Sequence, residues 1–122
     1  MSGMTENRRR WLALAVILAL TGILFIDLCG LVFGCGCRSL WNGGAEACNI
    51  HAPAPPHCPW CEHPFAAGAV SYVSIALAQA WLLLHPGRMR LALRMALAAA
   101  AAPALVGLLG AIQGFLWDYW GR

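Results

Sequence analysis

Residues 11–33, WLALAVILALTGILFIDLCGLVF, decide the fold. The run carries one charge, Asp27, and at about 1.5 Å of rise per residue a helix of this length crosses a hydrocarbon core of about 30 Å. A second run, Phe65 to Leu84, is interrupted only by Ser71, Ser74 and Gln79 as strongly polar residues, and His85-Pro86-Gly87 ends it with a breaker pair. The third, Leu91 to Trp117, holds an alanine block at 98–102 and then Pro103, a kink that membrane helices tolerate when a neighbour satisfies the freed carbonyl.

Composition agrees. The chain of 122 residues is 61% hydrophobic and 11% charged, whereas soluble domains carry about 25% charged residues. These numbers predict an all-α membrane protein of one unit, residues 1–122. Its spans are 11–33, 65–84 and 91–117, with an irregular Cys/His/Pro-rich loop at 34–64 and a short inner turn at 85–90. Arg8-Arg9-Arg10-Trp11-Leu12 has the form of a basic signal region and loosely of a twin-arginine signal. The apolar run is too long for a signal and no small-x-small site closes it, so a retained span is expected.

Topology follows from the arginines. Arg8, Arg9 and Arg10 precede the first span, and Arg88, Arg90 and Arg94 lie in or beside the turn between the second and third, while 34–64 carries only Arg38. The positive-inside rule then predicts a cytoplasmic N-terminus in a bacterial inner membrane, with the loop and the C-terminus periplasmic. Trp117, Tyr119 and Trp120 would anchor the outer interface and Trp11 the inner one. Lipid is the expected surrounding. The net charge of +3 rests on arginines placed by topology, so no nucleic-acid partner is inferred.

The loop carries the distinctive chemistry: Cys35, Cys37, Cys48, Cys58 and Cys61, with His51, His57 and His63 among them and five prolines. Irregular loops of about 30 residues are usually functional or disordered, and this one has too many potential cross-links for simple disorder. Three readings compete. Disulfides suit an oxidising compartment; five loop cysteines leave one over unless Cys29 joins, and six allow fifteen connectivities. A metal site is the second. Cys48-x2-His51 and Cys58-x2-Cys61 offer three sulfurs and one imidazole for zinc or Cu(I), and Cys35-x-Cys37 with Cys58-x2-Cys61 offers an all-thiolate alternative. His57 and His63 would be further ligands or donors to a ligand.

Thiol–disulfide exchange between the pairs Cys35/Cys37 and Cys58/Cys61 is the third. In outline the arrangement resembles the quinone-coupled disulfide-forming membrane enzymes. Those use at least four helices, and three are found here, which puts a quinone site in doubt. Covalent haem needs CxxCH, and Glu62 separates Cys61 from His63, so no c-type haem is expected.

Asp27 calls for a partner, because an ionisable group at the bilayer centre costs about 2.5–3.5 kcal/mol on insertion scales. Gln113 lies at matching depth on the third span; snorkelling to the headgroups, or orienting a loop histidine from below, are the alternatives. Gly110-x3-Gly114 is a small-x3-small face for close helix approach, and Gln79 is expected to bond across helices. No chain of ionisable groups crosses the membrane, and no catalytic set is visible. These features favour an accessory subunit of a larger membrane complex over a free-standing enzyme, with Trp41, Ile50 and Trp60 as an apolar docking surface on the loop. An oxidoreductase and a periplasm-facing zinc or copper binding protein or chaperone are the alternatives.

Overall fold

The computed structural model describes residues 2–121. Helix α1 spans Ser2–Phe33, the single turn α2 Pro59–Glu62, α3 Val70–Leu84 and α4 Leu91–Leu116; a π-helical turn at Pro64–Ala69 leads into α3. No strand occurs among the described residues. Three segments are long and apolar enough to cross a membrane, Thr5–Phe33, Pro64–Leu84 and Leu91–Leu116. The expected spans and the turn at 85–90 are found with shifts of a residue or two at most ends.

The exception is the start of α1. Apolar length locates the lipid-matched part of a helix and says little about where its hydrogen bonding begins. The polar first turns stay helical, with Arg10 paired to Glu6 one turn earlier at 3.4 Å. A further difference lies in 34–64, expected to be irregular throughout. It contains 3-10 turns at Leu40–Asn42 and Asn49–His51 besides α2, because proline at the first position of α2 starts a helical turn without needing a donor.

Polar side chains pin the bundle. Gln79 on α3 is fully buried and donates to Thr21 Oγ1 on α1 at 2.9 Å and to the Ala98 carbonyl on α4 at 3.1 Å, so one amide joins all three helices. The amide N–H groups thus find protein partners, as hydrocarbon surroundings demand, while Gln79 Oε1 is buried without one among the described residues. At the turn between α3 and α4, buried Arg94 donates to the carbonyls of Leu82 at 2.8 Å, His85 at 2.7 Å and Met89 at 3.2 Å, satisfying acceptors that the end of α3 leaves free.

At the opposite end α1 and α4 approach closely. A Cβ on Gly110 would lie 2.5 Å from Val32 Cγ1, so the small residue sets the separation of the two helices, as the small-x3-small face implies. Gly114 serves a different neighbour: the Trp120 ring occupies the space its Cβ would fill. The chain after α4 folds back over the bundle end, and Tyr119 is buried there at 6% exposure. The expected aromatic belt at 117–120 is therefore partly a lid.

Candidate metal centre

All six cysteines meet beneath this lid. Cys29 projects from the last turns of α1, Cys35 and Cys37 from the chain just after it, Cys48 from the residue before the second 3-10 turn, Cys58 from the residue before α2 and Cys61 from α2. The reversal after α1 depends on two glycines. A Cβ on Gly30 would lie 2.5 Å from the Cys37 carbonyl oxygen, and Gly36, at φ +91°, packs against the Ala47 carbonyl in a conformation other residues avoid. Backbone bonds close the fold: Asn49 N–H to the Cys35 carbonyl at 2.7 Å, and Arg38 N–H to the Gly44 carbonyl at 2.8 Å.

Sulfur–sulfur distances are 3.1 Å for Cys29–Cys58, 3.3 Å for Cys35–Cys37, 3.5 Å for Cys48–Cys61, 3.7 Å for Cys29–Cys35 and 3.9 Å for Cys37–Cys61. All six are free thiols. The closest pair lies well beyond the ~2.05 Å of a disulfide bond. Four triads have every sulfur within 4.8 Å of the others: 29–35–58, 29–37–61, 35–37–48 and 48–58–61. Such a cluster can hold a metal ion. Five of the cysteines are buried, Cys58 completely, and Cys61 is the more open one.

Packing thiols this tightly perturbs them. Burial pushes Cys37 and Cys48 above the ordinary thiol range. Cys35 and Cys61 are drawn below it, because the thiols of Cys29 and then Cys58 hydrogen-bond to their sulfurs and favour the charged form. The group is thus poised to hold thiolate beside thiol.

The histidines stand apart from these triads. His51 Nε2 lies 3.1 Å from the Ala45 carbonyl, His57 Nε2 lies 3.0 Å from the Ala52 carbonyl, and the His63 ring stacks on Trp117 at 4.9 Å. Of the three-sulfur, one-imidazole set, Cys48, Cys58 and Cys61 form a triad, while the His51 ring reaches back to the Ala45 carbonyl. The all-thiolate alternative is closer, and it gains Cys29 and Cys48. From the sequence, Cys29 has a place only in disulfide pairing. Its position one turn before Phe33, beside a glycine, was the available signal.

Asp27 and Gln113 do not meet. Ser39 Oγ donates to Asp27 Oδ1 at 2.6 Å, tying the loop to α1, while Oδ2 is buried without a hydrogen-bond partner among the described residues. Gln113 Oε1 accepts from Trp60 Nε1 and, at 3.1 Å, from Ser71 Oγ; its amide donates to the Ala67 carbonyl at 3.3 Å. Trp60, expected on an exposed docking surface, is buried at 5% exposure. Its ring stacks on Phe25 at 4.5 Å and meets Phe33 edge-on at 5.4 Å, since an indole with its N–H satisfied is better buried than wet. These aromatics, Tyr119 among them, enclose the sulfurs in one apolar cluster.

Asn49, which the sequence did not single out, and Tyr119, expected as an interfacial anchor, complete the site. Asn49 Oδ1 accepts the Cys58 backbone N–H at 2.6 Å while its amide donates to Tyr119 Oη at 2.8 Å. The Tyr119 hydroxyl in turn donates to the Phe33 carbonyl at 2.8 Å, and burial pushes its phenol above the ordinary range. Comparison with protein families, with curated proteins and with solved structures finds no match to this chain.

Proposed function

We propose that this chain is a membrane-anchored thiolate metal-binding protein. It would hold soft ions at the periplasmic face of a bacterial inner membrane as an accessory component of a larger membrane complex. The observation that carries the reading is the convergence of six thiols, from α1, the chain after it and α2, on one enclosed spot whose triads contain no histidine or carboxylate. Sulfur-only sites select Cu(I) or zinc over harder ions. Free thiols facing an oxidising compartment would pair; burial and a bound ion together keep them from doing so. The arginine distribution supports the orientation. The exposed pair Leu40 and Trp41, at 58% and 72%, supports a docking role for the loop tip.

Thiol exchange is the weaker reading. An attacking thiolate needs access to its target sulfur, and Cys58, the leading cysteine of the CxxC pair, has none.

The test is to purify the full chain in mild detergent without oxygen, measure metal by mass spectrometry and count thiols with and without reductant. Bound copper or zinc with six thiols released on acid treatment is the expected result. A metal-free protein whose thiols appear only after reduction would overturn the reading in favour of a disulfide framework.

A further inference from the structure

The four sulfur triads have no pair in common, so between them they join twelve of the fifteen possible sulfur pairs within 4.8 Å. The three pairs outside them, Cys29–Cys48, Cys35–Cys61 and Cys37–Cys58, share no residue. Every cysteine belongs to two triads and has four sulfur neighbours. That is the connectivity of an octahedron of which these triads are one set of alternate faces; the other set, 29–35–37, 29–58–61, 35–48–58 and 37–48–61, is built from the same twelve pairs.

Geometry then chooses among metal arrangements. For a metal–sulfur bond of about 2.3 Å, three sulfurs around a planar ion lie about 4.0 Å apart, close to the 3.7 Å of Cys29–Cys35 and the 3.9 Å of Cys37–Cys61 and within the 4.8 Å that bounds every triad. Two tetrahedral zinc ions sharing six cysteines would put the terminal sulfurs of opposite ions about 6 Å apart for the same bond length. Each terminal sulfur would then keep three close neighbours, and here each has four. A single ion at the centre would need six thiolates around it, a set that neither tetrahedral zinc nor three-coordinate Cu(I) uses. An iron–sulfur cubane holds its cysteines outside a core of iron and sulfide, and sulfurs already touching one another leave no room for that core.

We propose that the six thiolates hold four Cu(I) ions as one cage, an ion on each face of one alternate set, such as 29–35–58, 29–37–61, 35–37–48 and 48–58–61, with every sulfur bridging two ions. This rests on the metal-binding reading above and specifies its ion and its stoichiometry. Cu(I) is soft and content with three sulfurs, so no fourth ligand is required; this agrees with histidines that are occupied by backbone carbonyls. Loading releases the protons that the thiols still carry, and six thiolates with four Cu(I) ions leave a cage of net charge 2−, with no change of oxidation state. The shell of Phe33, Trp60 and Tyr119 keeps the bulk of the cage from water, and Cys61, the most open cysteine, marks its mouth.

The experiment titrates the reduced, metal-free full chain in detergent with Cu(I) under nitrogen, against a competing Cu(I) chelator, and follows metal content, luminescence and X-ray absorption. An end point of four ions per chain is expected, reached cooperatively, with emission typical of water-shielded Cu(I)–thiolate cages, three sulfurs per copper and a short copper–copper vector. Cys29→Ser removes one corner and breaks two triads, so its end point should fall to two ions, with the emission largely lost. One ion per chain, or two zinc ions in preference to copper, would overturn the cage and leave metal binding standing. Failure to bind either metal with six free thiols would overturn both. Should Cys29→Ser not fold by circular dichroism, Cys48→Ser breaks two triads from the loop side, and the wild-type end point decides by itself.

Discussion

The side-chain amide of Asn49 lies between Tyr119 and Cys58: Nδ2 donates to the Tyr119 hydroxyl at 2.8 Å, and Oδ1 accepts the Cys58 backbone N–H at 2.6 Å. The two ends of the cysteine-rich segment and the last residues of the chain are thereby bound into one network, which closes on the carbonyl of Phe33.

Tyr119→Phe keeps the ring and removes the hydroxyl, leaving the Phe33 carbonyl and the Asn49 amide without that partner. A buried group stranded in this way costs about 1–3 kcal/mol. The variant should unfold at a lower temperature in detergent, and thiol-reactive probes should label the cysteines faster. Asn49→Ala should cost a similar amount, and the double variant less than the sum, because the two residues share one network. Additive losses would show that they act independently.

Trp60→Ala removes the indole from between Phe25 and Phe33 and leaves Gln113 Oε1 with Ser71 Oγ as its remaining donor. Large-to-small changes of this kind cost about 3–5 kcal/mol. Loss of folded protein at moderate temperature, read by circular dichroism, is the expected outcome. Trp41→Ala, at a position 72% exposed, should leave stability unchanged and weaken only co-purification with a partner.

Gly110→Val drives a side chain into Val32 and Phe33. Overpacking of this order costs about 1–3 kcal/mol, and by parting α1 from α4 it should shift Cys29 and lower metal affinity as well. Gly107→Ala is the control, since nothing lies within 4 Å of the added carbon; it should be neutral or slightly stabilising through helix propensity. A metal affinity equally reduced in both would detach the helix contact from the site.

Metal affinity should fall with pH. A thiol must lose its proton to bind, and burial holds Cys37 and Cys48 above the usual thiol range. These two sulfurs enter neutral solution protonated, each acidic step makes the exchange of proton for metal less favourable, and uptake releases acid. Chelator competition between pH 5 and pH 8, with proton release followed by a dye, measures this. An affinity independent of pH over that range would contradict it.

The spans were legible because matching a bilayer is a one-dimensional property: an apolar run of sufficient length has few other solutions. The clustering of cysteines was legible too, and so was the Gly110 face. The partners were not. Depth offers Gln113 as one candidate partner of Asp27 beside snorkelling and a loop histidine, and depth does not report which way a helix is turned; the structure gives Asp27 to Ser39 and Gln113 to Trp60.

By itself, the order of residues determined three lipid-matched helices and a sulfur-rich connection between the first two. Tertiary structure decided that Cys29 joins the loop cysteines, that the histidines turn away and that Trp60 and Tyr119 close over the sulfurs. Contacts of this kind arise between segments dozens of residues apart, whose meeting depends on the rotation and spacing of packed helices. Neither quantity is carried by local pattern.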